Sequence, residues 1–248
     1  MRLFEGKTVL ITGATSGIGL ATARRLAEGG AAIVCSARSR ERLDRVVAEL
    51  PGEGHLSLAF DAGREEEVIN VGNTLKTAGR VLHGAVMCAG QHSLRPLQLS
   101  KATHFESSFA ANVLSAFLCT KMTAKLAAKD GASIVWLSSA AALVGSAGEA
   151  AYAASKGALI AACRSIATEL APKGIRVNAV APGVVETPMA ESWLSRMSSE
   201  QREAIRARHL LGFGSAEDVA SAIAFLISHE SRWITGSCLT VDGGLTCH

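Results

Sequence analysis

The run Lys7-Thr8-Val9-Leu10-Ile11-Thr12-Gly13-Ala14-Thr15-Ser16-Gly17-Ile18-Gly19, continued by LATARRLAEGG over residues 20–30, decides the fold of this chain. A short apolar, β-branched run reads as a buried strand, a glycine turn follows, and a helical segment begins at once. Gly13 permits a tight turn, Gly17 a close approach of backbone, and Gly19 close packing of helix on strand. A helix N-terminus behind such a turn gathers unpaired N–H groups and the positive end of the helix dipole, a ready site for a pyrophosphate. A plain strand-to-helix turn is the rival reading. The strand before and the helix after favour dinucleotide binding.

Outward from this unit the same rhythm repeats. Strand candidates are AAIVCSA (31–37), HLSLAF (55–60), GAVMCAG (84–90), SIVWLSS (133–139), RVNAVAP (176–182) and SCLTVDG (237–243). Between them lie helical patterns, among them SRERLDRVVAEL (39–50), REEEVINVGNTLKTAG (64–79) and a long stretch from Thr103 to Lys129. Such alternation predicts an α/β fold: a doubly wound parallel sheet of about seven strands, helices on both faces and right-handed crossovers. Residues 1–248 read as one unit, without internal repeat or linker. The segment 187–210 breaks the rhythm, carrying Trp193, Leu194, Met197 and several charges; it reads as a substrate lid or as a surface helical excursion.

Composition excludes several function classes. Apolar residues make up 48% and aromatics 4%, so the core is aliphatic and alanine-rich. A net charge of +3 with no Lys/Arg block argues against nucleic-acid binding. No apolar stretch is long enough to span a bilayer, and no signal peptide precedes the first strand, so a cytoplasmic protein is expected. The six cysteines (35, 88, 119, 163, 238, 247) have no metal-ligand spacing; no metal is expected, and they read as reduced, buried thiols.

The chain's only tyrosine, Tyr152, stands four residues before Lys156 in a segment of helical composition, GSAGEAAYAASKGALIAACRSIATEL (145–170). An i, i+4 pair shares one helix face, and a fixed cation beside a phenol favours the phenolate. The spacing therefore predicts a Tyr152 pKa below the free value of ~10 and a residue able to trade a proton near neutrality. On the opposite face Ala150, Ala154, Gly157, Ala158 and Ala161 are small. Close approach of a second subunit's helix or packing on the chain's own sheet explains them equally.

With its T-G-x-x-x-G-x-G turn and Tyr152/Lys156 pair, the chain resembles the short-chain dehydrogenase/reductase family, nearest to 3-oxoacyl-[acyl-carrier-protein] reductases. The likeness runs from Lys7 to Leu245. It implies catalytic roles for Asn112, Ser139, Tyr152 and Lys156. Ser139, thirteen positions before Tyr152, is selected over its neighbour Ser138 by that separation alone. It implies a helix irregularity at Asn112, and cofactor contacts at Thr12, Gly13, Ser16, Gly17, Ile18 and Gly19. Further contacts are implied at Asp61 and Ala62, at Ala89 and Gly90, at Tyr152 and Lys156, and along Pro182, Gly183, Val185 and Thr187. Cys88 departs from the family's usual asparagine, which puts local rigidity in doubt more than chemistry. A redox thiol or a small filler are the two readings of Cys88.

Cofactor choice is read at the end of the second strand. An acid there, about 20 residues beyond the glycine turn, binds the ribose 2′-hydroxyl of NAD. Ser36-Ala37-Arg38-Ser39 offers none before Glu41, and Arg38 suits a 2′-phosphate, so NADP(H) is expected over NAD(H). The resemblance then implies reduction of a ketone, a 3-oxoacyl thioester or similar apolar carbonyl, to an alcohol. Its partners would be that small molecule, an acyl carrier protein as a candidate, and further copies of the chain in a homodimer or homotetramer. Two rivals stand: an NAD-dependent alcohol or sugar dehydrogenase, and a non-catalytic cofactor-binding sensor or scaffold. Retention of all four catalytic positions argues against the second.

Overall fold

In the computed structural model, which describes residues 3–247, the seven expected strands all form. They are β1 (Thr8–Thr12), β2 (Ala32–Ala37), β3 (Leu56–Ala59), β4 (Gly84–Met87), β5 (Ala132–Leu137), β6 (Ile175–Pro182) and β7 (Cys238–Val241). All pair parallel in the order β3-β2-β1-β4-β5-β6-β7. Between them run α1 (Gly17–Glu28), α2 (Arg40–Glu49), α3 (Glu65–Thr77), α4 (Ala102–Phe109), α5 (Ser115–Lys125), α6 (Ala150–Leu170), α7 (Pro188–Leu194), α8 (Ser199–Ala207) and α9 (Ala216–Ile227).

Side chains alternate across the sheet with period two, which is why the strands read as continuous apolar runs. Leu10, Val34, Ala85, Met87, Ile134 and Trp136 pack on one face with α3, α5 and α6. Val9, Ile11, Ile33, Cys35, Val86 and Val135 pack on the other with α1, α2 and α9. Trp136, fully buried, satisfies its indole N–H on the Thr120 hydroxyl at 2.8 Å. Strand order reverses direction between β1 and β4, and a crevice opens there beyond the carboxyl ends of the strands.

Two expectations need correction here. The long helix ends at Lys125, not Lys129: Leu126 leaves helical geometry, Leu82 N–H then bonds Leu126 O, and the chain bridges to Leu82 beside β4. Lys129 therefore lies in a turn. That helix is also interrupted by a π turn over Ala110–Leu114, where the irregularity was expected at Asn112. The cysteines are not uniformly buried: Cys35, Cys119 and Cys163 are, Cys88 and Cys238 are partly accessible, and Cys247 is exposed. The segment 187–210 consists of α7 and α8, and both begin on capping hydroxyls, Thr187 and Ser198. No helix among the described residues is long and apolar enough to cross a membrane.

Candidate active site

The glycine turn builds one wall of the crevice. Gly13 has φ +69°, and a Cβ there would stand 2.9 Å from Ala89 N, so the β1 and β4 loops touch through backbone alone. A Cβ on Gly19 would lie 2.3 Å from Gly13 O, which fixes α1 against its own turn. Gly17 has φ +52° and faces Thr187, whose methyl would be 3.1 Å from an added Cβ; the loop after β6 therefore folds over the α1 N-terminus. Ser16 occupies the N-cap position, but its side chain makes no capping bond and no acid lies in the first turn. The first N–H groups of α1 are thus left to an anion, and the residues fit a dinucleotide pyrophosphate. Ile18 lines the crevice beyond them. Thr12 is buried, and its hydroxyl accepts Ala89 N–H at 3.1 Å, tying β1 to the β4 loop.

The adenosine end is bounded by β2 and β3. Arg38 follows β2 and is exposed, while Glu41, the nearest acid, pairs along its own helix with Arg45. Asp61, past β3, is half-buried and accepts Gly63 N–H at 2.9 Å; Ala62 packs in the core. Opposite, Pro182 ends β6, and Gly183, Val185 and Thr187 continue along the crevice.

At the other end the four expected catalytic positions meet. Ser139 lies past β5 and Tyr152 and Lys156 face it from α6, all lining one cavity of about 420 Å³. Both serines line the cavity and differ in their partners: buried Ser138 donates its hydroxyl to Lys156 O at 2.8 Å, whereas the Ser139 hydroxyl accepts Ala141 N–H at 3.2 Å and bonds Tyr152. Lys156 donates to Leu137 O at 2.7 Å, with its ammonium 5.8 Å from the Tyr152 ring centre. Asn112 is buried at the π turn. Its Oδ1 accepts Gln91 N–H at 2.8 Å, and its Nδ2 donates to Gln91 O and to the Ser155 hydroxyl. A Cβ on Gly90 would stand 2.6 Å from Asn112 Oδ1 and 3.5 Å from Lys156 Nζ, so only glycine fits between them.

Electrostatics overturn one expectation. Tyr152 has its pKa pushed up to about 12, not down: loss of water outweighs the Ser139 hydroxyl, which favours the phenolate, and Glu149 adds repulsion. Burial likewise brings Lys156 down to about 8. Cys88, on the cavity wall, is pushed up to about 12 by burial, which favours the filler reading over a reactive thiol.

Four residues escaped the sequence reading or were only touched by it. Glu149 sits one helical turn before Tyr152, and its carboxylate bonds His92 Nε2 at 2.6 Å. His92 and Tyr152 meet edge to face with ring centres 4.8 Å apart, and the Trp193 ring of α7 lies 5.6 Å from the imidazole, tilted by 34°. His209 is buried; Nε2 accepts Val184 N–H at 3.1 Å and Nδ1 bonds Ile205 O, pinning the end of the helical excursion to the loop after β6. Ser155 anchors Asn112. The i−3 spacing of Glu149 from Tyr152 was the one signal available for these.

Comparison with known proteins agrees with this geometry. Residues 13–246 match the sequence profile of the family described as Enoyl-(Acyl carrier protein) reductase. The 3-oxoacyl-[acyl-carrier-protein] reductase FabG of Thermotoga maritima is 38% identical over 252 aligned positions, covering 99% of both chains. The chain belongs to the short-chain dehydrogenase/reductase family. As such it is an NAD(P)-dependent oxidoreductase. Another short-chain dehydrogenase/reductase relative, the glucose 1-dehydrogenase of Gluconobacter oxydans, is 36% identical over 99% of this chain and 94% of its own. A solved short chain dehydrogenase/reductase family protein superposes with a TM-score of 0.89 at 32% identity, over 100% of each chain.

Proposed function

We propose that this oxidoreductase reduces a ketone to an alcohol with NADP(H), and that the carbonyl is that of a 3-oxoacyl thioester or a similar, mainly apolar molecule. The observation that carries this reading is the convergence of Ser139, Tyr152 and Lys156 in one cavity beside the glycine turn. When bound, the nicotinamide supplies the hydride that goes to the carbonyl carbon. The chain's own groups handle the oxygen. Ser139 donates a hydrogen bond to it as negative charge develops, and Tyr152 donates the proton that completes the alcohol. Lys156 holds positive charge next to the phenol, and Asn112 fixes the Gln91 backbone and Ser155 around it.

A high Tyr152 pKa in the protein alone is compatible with this role, because a phenol that keeps its proton at neutral pH is a donor. Preference for NADP(H) rests on exposed Arg38 and on Glu41 being paired away from the ribose position. The small, outward Ala150, Ala154 and Ala161 on α6 support a homodimer or homotetramer, and we place the enzyme in the cytoplasm. An acyl carrier protein is the proposed carrier of the thioester, and segment 187–210 the lid over it. Steady-state rates with NADPH and NADH on 3-oxoacyl thioesters of increasing chain length, apolar ketones, sugars and polyols test the reading. Activity rising with chain length is expected; activity confined to free sugars or polyols would overturn it.

A further inference from the structure

The cavity that holds Tyr152 is walled mainly by apolar groups such as Ala141, Val144, Met189 and Met197, and Glu149 is the one carboxylate among its described lining residues. Glu149 and His92 are not surface groups: their side chains are 14% and 12% exposed. An acid costs free energy in such a place unless its oxygens are used. His92 Nε2 satisfies Glu149 Oε1 at 2.6 Å. Glu149 Oε2 and His92 Nδ1 bond no other protein group among the described residues, and neither is sealed from the cavity. In the tautomer that donates Nε2–H to the carboxylate, both remaining atoms are hydrogen-bond acceptors.

Their position is constrained from three sides. Glu149 sits at the start of α6, His92 in the loop after β4, and the Trp193 ring of α7 lies 5.6 Å from the imidazole, which meets the Tyr152 ring edge to face. The pair is therefore held within about one ring's width of the phenol. Of the cavity's other polar side chains, Gln91 and Ser146 are exposed, and those deeper in are engaged. Lys156 is bonded to Leu137 O, both His209 nitrogens are engaged, and Arg208 lies exposed at the rim.

We propose that the Glu149–His92 pair is a specificity site for a hydrogen-bond donor on the substrate, a hydroxyl or an ammonium carried close to the reacting carbonyl. This rests on the reading of Tyr152 as the proton donor to a ketone and narrows its substrate: among mainly apolar carbonyls it favours one that bears such a donor over a 3-oxoacyl thioester, which has none beside its keto group. A substrate that is hydrocarbon throughout would cover Glu149 Oε2 without a partner, and one with a carboxylate there would meet repulsion. A donor group satisfies the acceptor that the fold has left open, and the rest of the molecule still contacts apolar wall. A site built to bond a polar group discriminates strongly against the analogue that lacks it.

The test compares kcat/KM for cyclohexanone and for its hydroxy-, ammonio- and carboxylate-substituted forms, in wild type and in Glu149→Gln, with circular dichroism to establish folding. Wild type is expected to favour the hydroxy and ammonio ketones over cyclohexanone by about tenfold or more, and to turn over the carboxylate form slowest. Glu149→Gln should erase most of the ammonio preference and part of the hydroxy preference, since an amide oxygen still accepts but carries no charge. A larger loss for one arm identifies which donor the site prefers. Calorimetric binding of the matching alcohols, with NADP⁺ present, should show the same ordering without turnover. If the Gln variant does not fold, Glu149→Asp, which withdraws the oxygen while keeping the charge, should lower the hydroxy preference. Equal preference ratios in variant and wild type, or a wild type that favours the plain or carboxylate ketone, overturns the proposal while leaving the reductase reading intact. No turnover of any carbonyl or alcohol overturns both.

Discussion

Lys156→Met should make the cofactor-free protein more stable near neutral pH, although it removes a residue we place in the catalytic centre. Burial brings the ammonium from its ordinary 10.5 down to about 8. The sign follows from linkage. The unfolded chain holds the proton up to a higher pH than the folded one, so the charged lysine opposes folding. That cost is fully present below about 8, fades as pH rises, and is gone above 10.5. At ~1.4 kcal/mol per pKa unit it amounts to about 3 kcal/mol at about pH 7 and about 1 kcal/mol at about pH 10. Methionine avoids it but abandons Leu137 O, which Lys156 holds at 2.7 Å. The lost hydrogen bond costs about 1 kcal/mol. The net gain is then about 2 kcal/mol at about pH 7 and nothing at about pH 10. For a chain of this size that is a rise in Tm of about 4–8 °C. Thermal melts and urea titrations at several pH values, followed by fluorescence of buried Trp136, would read it. A variant no more stable than wild type at neutral pH, or a gain that stays constant as pH rises, would show that Lys156 is not held in the desolvated state described here.

Tyr152→Phe should lower turnover by about 10²–10⁴-fold while leaving NADPH binding nearly unchanged; more than a few per cent of residual activity refutes the proton-donor role. Because Tyr152 is the only tyrosine and is pushed up to about 12, folded protein should show no tyrosinate absorbance at pH 10, and a full signal there would contradict its desolvation. Arg38→Asp should weaken NADPH binding by about tenfold to a hundredfold and shift preference toward NADH. Equal affinity of wild type for the two cofactors would refute the 2′-phosphate assignment. Gly19→Ala forces a Cβ to 2.3 Å from Gly13 O, and should cost about 1–3 kcal/mol or more in urea unfolding and weaken cofactor binding; a neutral result would mean the turn has room to move.

What the sequence determined by itself is what local chemistry dictates. Short continuous apolar runs placed all seven strands, the glycine turn placed the start of α1, and i, i+4 spacing put Tyr152 and Lys156 on one face of α6. These depend on neighbours a few residues away, so they are legible in a single chain. Residue type at a position was also readable, as with Arg38 where an acid would otherwise stand. The tertiary structure decided whatever depends on groups distant in sequence. Ser138 and Ser139 are the same residue type side by side, and the structure gives their hydroxyls different partners, Lys156 O for one and Ala141 N–H for the other. Thr12 belongs to the glycine motif, yet the approach of Ala89, 77 residues away, turns it into a strut. Glu149 and His92 stand 57 residues apart and become a pair only when α6 and the β4 loop meet. The Tyr152 pKa went the opposite way from the one its neighbour implied. Spacing reports the cation one turn away, but it carries no information on how much water the folded chain removes, and at Tyr152 the loss of water is the larger effect.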